Sequence, residues 1–109
     1  MTQAKVELFE KELQVAASYF KVLSHPARLA ILKFLSESEV CICGDISNEL
    51  PLSRTTVNQH LKELKDIGLI KGEISGIKVK YCLRKDKLSE MKGVVTTYLS
   101  SIREKAVSC

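Results

Sequence analysis

At 109 residues the chain suffices for one domain (1–109), but its core is small, so association with a second copy would bury surface that one copy leaves open. No run of about 18 apolar residues is present to span a bilayer, and the opening MTQAKVELFEKEL is amphipathic and acidic, unlike a secretory signal; both features point to a soluble, cytoplasmic protein without a membrane partner. The formal charge of +4 is concentrated: Arg54 to Lys87 holds nine Lys or Arg against four Asp or Glu, which suits a surface facing phosphates or, failing that, a solvated basic face.

Val6, Phe9, Leu13, Ala16, Phe20 and Leu23 recur at spacings of three and four, which predicts an amphipathic first helix over residues 4–23. Pro26 suits the first turn of a second helix, where its missing N–H is not needed. That helix, PARLAILKFL, reads as mostly buried through Leu29, Ile31, Leu32, Phe34 and Leu35 and ends near Ser36. His25 caps it or packs beside it.

After VCICG, Asp45 is a candidate N-cap for a short third helix, ISNEL, which Pro51 stops because the residue before a proline is pushed out of the helical region. Ser53 caps the next helix, RTTVNQHLKELKDIG. Its inward residues Val57, Leu61 and Leu64 fall at i, i+4 and i+7, and Gly68 is the C-cap. Arg54, Thr55, Asn58, Gln59 and Lys62 are left to solvent.

From Leu69 the period changes to alternation. LIKGEIS and IKVKYCL form a hairpin with its turn at Ser75 and Gly76, with Ile77, Val79, Tyr81 and Leu83 on one face and Lys78, Lys80 and Cys82 on the other. A last helix from Lys85 to Lys105 carries Leu88, Met91, Val95, Tyr98, Leu99 and Ile102, a stripe suited to the first helix or to its own copy across a two-fold axis. The fold class is mostly α with a β-hairpin wing, in the order α-α-α-α-β-β-α.

A short helix, a tight turn and a longer helix beginning in small polar residues is the helix-turn-helix arrangement, and a basic hairpin directly after it is a wing. Thr, Asn and Gln side chains bond base edges or touch thymine methyls, while Arg54, Lys62, Lys78 and Lys80 suit phosphates or the minor groove. Double-stranded DNA is therefore the expected partner.

LSHPARLAIL (Leu23 to Leu32), LSRTTVNQHLKELKDIGLI (Leu52 to Ile70) and the hairpin ending in YCL together resemble the arsenic-repressor (ArsR/SmtB) family of winged helix-turn-helix transcriptional regulators, over roughly residues 13 to 90. The resemblance implies a homodimer joined through the first and last helices, bound to an operator with two-fold pseudo-symmetry and released when an inducer, usually a metal or metalloid ion, binds. It places Ser53, Arg54, Thr55, Thr56, Asn58, Gln59 and His60 where the family reads or clamps DNA, and Lys78 and Lys80 on the wing; read by itself, His60 is a DNA-face or helix-packing residue rather than a metal ligand. No cofactor is required.

Helix 85–105 contains no His, so the family's His and carboxylate zinc site on the last helix is absent. Cys41 and Cys43 resemble the family's Cys-x-Cys at the start of the third helix. One residue apart on a helix, two side chains point about 200° from each other, whereas in an extended segment they share a side. Asp45 as N-cap keeps both ahead of the helix, so chelation is geometrically open, and thiolates select soft ions such as As(III), Sb(III), cadmium, lead or zinc.

The sequence departs from the family pattern in that Gly44 separates the second cysteine from Asp45 and no third cysteine follows in the helix; Cys109 is the candidate third thiolate. Cys41 and Cys43 can also be read as buried small residues or as redox thiols. Cys82 reads as structural.

The leading expectation is a DNA-binding repressor released by a thiophilic ion at Cys41 and Cys43. A cysteine-based redox repressor is one alternative; another is a winged-helix module that binds protein, which would show apolar anchors where Thr55, Asn58 and Gln59 stand. No paired carboxylates, nucleophile with partner base or phosphate loop suggests an enzyme.

Overall fold

The computed structural model describes residues 7–37, 42–43, 50–75 and 78–104. The first helix, α1 (Lys11–Val22), starts later than its apolar spacing predicts: Glu10 is extended, and its carbonyl accepts the N–H groups of Leu13 and Gln14 at 3.1 Å each. Its buried face is Ala16, Tyr19 and Val22; of the predicted stripe Ala16 is buried and Leu23 half-buried against the core, while Phe9, Leu13 and Phe20 are exposed. The helix α2 (Pro26–Ser36) begins and ends as expected, with Pro26 in its first turn and the Ala27 N–H donating to Nδ1 of His25 at 3.0 Å. Ile31, Leu32 and Leu35 enter the core while Leu29 is exposed.

All but the last residue, Leu50, of the expected short third helix lies outside the described residues, as do Asp45 and the 76–77 connection of the wing. Leu50 and Leu52, on either side of Pro51, pack half-buried against the core. The helix α3 (Arg54–Asp66) is capped by Ser53, whose Oγ accepts the Thr56 N–H at 3.3 Å. At its other end Gly68 has φ +89°, the Gly68 N–H reaches the Lys65 carbonyl at 2.9 Å, and the Leu69 N–H reaches the Leu64 carbonyl at 3.1 Å. These two bonds form a Schellman cap, and Leu64 and Leu69, both fully buried, make its hydrophobic contact.

Three strands follow from the register: β1 (Ile42–Cys43), β2 (Ile70–Ser75) and β3 (Lys78–Leu83) form an antiparallel sheet in the order β1-β3-β2. The hairpin was expected; its third strand was not, because two residues carry no alternation of their own and pair only with a partner some forty positions away. Ile42 stands opposite Tyr81 and Cys43 opposite Lys80, while Ile70 to Ser75 run opposite Leu83 to Lys78. The two faces of β3 do not divide into one buried and one open. Val79 is exposed, Tyr81 and Leu83 are half-buried, and Cys82 is 7% exposed. Burial along this central strand follows distance from the helical core more than side-chain parity.

The last helix, α4 (Lys85–Ser101), returns across the domain and packs on α1. Met91 is buried, Leu88, Val94 and Val95 lean on the core, and the rings of Phe20 and Tyr98 meet edge to face at 5.9 Å. Beyond that contact Leu99 and Ile102 stay exposed. No helix among the described residues is long and apolar enough to cross a membrane.

Candidate nucleic-acid interface

The periodicity of α3 divides it in two. Val57, His60, Leu61 and Leu64 fall at i, i+3, i+4 and i+7 and are buried, which turns Arg54, Thr55, Asn58, Gln59 and Lys62 outward. Ser53 and Thr56 are exposed but engaged in the cap, with the Ser53 hydroxyl donating to Thr56 Oγ1 at 3.0 Å. Gln59 Nε2 donates to Glu63 at 3.3 Å, and Lys62 pairs with Asp66 at 2.9 Å, a hydrogen bond that holds its ammonium pKa above the ordinary value. Exposed pairs of this kind exchange readily for a phosphate or base. On the wing Lys80 is exposed; Lys78 belongs to β3, and its side chain lies outside those described.

His60 corrects the sequence expectation. The family resemblance places it with the DNA-reading residues, yet the helix-packing alternative is what the structure has: it is 7% exposed and turned toward α2, where Nε of Arg28 donates to its Nδ1 at 3.0 Å and the His25 ring lies 4.3 Å away between centroids. Burial, then the neighbouring His25 and Arg28, hold its pKa below the ordinary histidine range. Arg28 also reaches the Val22 carbonyl at 3.4 Å, so one guanidinium ties the end of α1 to the recognition helix. Sequence reading missed Arg28, although the i+3 place of His60 between Val57 and Leu64 signals that it faces inward.

Of the candidate ligands, Cys41 and Cys109 lie outside the described residues, and Cys43 is the second residue of β1. Cys82 is buried and disulfide-bonded, its partner sulfur lying outside the described side chains. Among the described residues no three His, Cys, Asp or Glu converge as a metal site.

A capped, polar-faced helix seated on α2 and followed by a basic hairpin defines a winged helix-turn-helix protein. Residues 23–73 match a helix-turn-helix domain family, HTH_20. A cadmium resistance transcriptional regulatory protein CadC homolog of Staphylococcus aureus is 33% identical over 92 residues, covering 84% of this chain and 75% of the relative. The arsenical resistance operon repressor of Staphylococcus xylosus is 38% identical over 72 residues, 66% of this chain and 68% of the relative. Among solved structures, HlyU from Vibrio cholerae N16961 superposes with a TM-score of 0.63 at 27% identity, covering 84% of this chain and 99% of that one. The chain belongs to the ArsR/SmtB family of winged helix-turn-helix transcriptional regulators, a family of DNA-binding proteins and not of enzymes.

Proposed function

We propose that this protein is a homodimeric repressor that reads its operator with the outer face of α3 and leaves it when a thiophilic ion binds at the cysteines ahead of the recognition unit. The observation that carries the DNA reading is the sidedness of α3. Thr55, Asn58 and Gln59 stand exposed together on a helix whose other face, His60 included, is locked into the core. A protein-binding module would be expected to offer apolar anchors there.

Support for the dimer comes from Phe9, Leu13, Phe20, Leu99 and Ile102, large apolar side chains left exposed on α1, α4 and their flanks. A two-fold pair joined through these helices would set its two α3 helices about 34 Å apart, one turn of B-DNA. Support for the inducer comes from the metal-resistance and arsenical-resistance relatives together with Cys41 and Cys43. Thiolates select soft ions such as As(III) and Sb(III). The disulfide at Cys82 is the one observation favouring a redox signal instead.

Operator-binding anisotropy titrated with arsenite, antimonite, cadmium, zinc and a mild oxidant tests this reading, on the parent and on a Cys41→Ser, Cys43→Ser double variant. Release of the parent by a soft ion, and not of the variant, is the expected result. Release by the oxidant alone would select the redox reading, and no salt-dependent binding to any duplex would remove DNA from the account.

A further inference from the structure

The apolar contacts of α3 are non-directional: Val57, Leu61 and Leu64 hold the helix against the core, and they stay covered through a small roll about its axis. Base contacts tolerate no such roll. Side chains reach about 5–6 Å from a helix axis, so a roll of about 15° carries their ends about 1.5 Å. That is enough to break bonds that hold only between about 2.7 and 3.2 Å.

One directional bond fixes the roll. Nε of Arg28 donates to Nδ1 of the buried His60 ring at 3.0 Å, and Nη1 of the same guanidinium donates to the Val22 carbonyl at 3.4 Å. A single side chain of α2 thereby joins the end of α1 to the middle of α3.

The bond also sets the state of the ring. An Nδ1 that accepts leaves the ring proton on Nε2, and Nε2 is buried with no partner among the described residues. A second proton has to enter at Nδ1, where it turns the acceptor into a donor facing a guanidinium that offers no acceptor. Burial opposes that proton, as do His25 and Arg28 of α2, and Glu63 of α3 favours it. The charged groups of β2, which also packs on α3, are Lys71 and Glu73, exposed and paired with each other at 3.2 Å.

We propose that Arg28 is a positioning residue for sequence reading: through the neutral ring of His60 it holds the roll of α3 that aims Thr55, Asn58 and Gln59 at base edges, and a proton on His60 releases that hold. The proposal rests on α3 being the DNA-reading helix. Its loss falls on base contacts and spares phosphate contacts, so it lowers the preference between sequences more than the affinity for DNA in general. By reciprocity, protein bound to its preferred duplex takes up the His60 proton at lower pH than free protein does.

The measurement is the affinity for a duplex selected from a random library by the parent at pH 7.5, divided by the affinity for random duplex at the same ionic strength. Between pH 7.5 and 5 this ratio should fall about threefold or more in the parent. His60→Asn presents an Oδ1 that accepts from Arg28 and does not titrate, and its ratio should stay flat with pH. Arg28→Met keeps the apolar stem without the donors, and its ratio should be low throughout. Urea unfolding reports whether each variant is folded. Nitrogen NMR of the unsubstituted chain needs no variant: His60 should carry its proton on Nε2 at pH 7.5, and its titration midpoint should move to lower pH when the selected duplex is bound. A ratio unchanged by pH in the parent, a ratio undiminished in Arg28→Met, or a His60 proton on Nδ1 overturns the proposal while leaving α3 as the reader. A parent that selects no duplex over random sequence overturns both.

Discussion

Gln59 and Lys80 occupy the two kinds of position a DNA reader needs, a base-facing site on α3 and a phosphate-facing site on the wing. Gln59→Ala should relax sequence preference, losing more affinity on operator than on random duplex; Lys80→Ala should weaken both alike and reduce the salt slope by about one. Equal losses on both duplexes for both variants would refute the division. Inside the same helix, His60 links stability to pH. Its folded pKa lies below the ordinary value, so above that value it is neutral in both states and its contribution is complete. As pH falls through about 6.5 the unfolded chain takes up a proton that the folded chain resists, and stability declines. Urea unfolding from pH 7.5 to 5 should show that decline, and His60→Leu should flatten it. The outward residues were legible because their spacing is helical. The partnership of His60 with Arg28 was not, because it joins residues 32 positions apart.

At the level of the element, the ends of α3 are set by chemistry that sequence alone exposes. Ser53→Ala removes the hydroxyl that accepts the Thr56 N–H and should cost about 1 kcal/mol. Gly68→Ala meets no tight contact, since Lys87 carbons lie 3.5 Å or more from an added Cβ, yet φ is +89° there. The loss should be about 1–2 kcal/mol from backbone strain alone, read by denaturant midpoint at unchanged slope. Both caps, Pro26 and the change of period at Leu69 were readable because each is a local rule. The strand β1 was not: a two-residue segment has no period, and its existence depends on β3 presenting an unpaired edge. The burial pattern of β3 was not legible for the same reason, since alternation tells which residues share a side but not which side the rest of the chain covers.

For the whole molecule the exposed apolar side chains gather on the first and last helices and their flanks. The predicted stripe of the first helix is apolar, yet Phe9 is 61% and Leu13 41% exposed, while Leu99 and Ile102 are each 54% exposed near the end of α4. Leu99→Glu, which puts a charge where a second copy would bury apolar area, should shift the chain to monomer in sedimentation. Operator affinity should fall at least tenfold, because two half-sites are no longer engaged together. An unchanged dimer would move the interface elsewhere.

The sequence by itself determined the helix limits of α2 and α3, their caps, the hairpin, the basic third of the chain and the polar face of the recognition helix, because each follows from residues within a few positions of one another. Only the tertiary structure decided that Arg28 and His25 meet His60, that Phe9, Leu13 and Phe20 of the predicted first stripe stay exposed while Ala16 is buried, and that β1 pairs with β3. Those are contacts between distant segments, and chain periodicity sets a residue's side of an element without setting what lies against it.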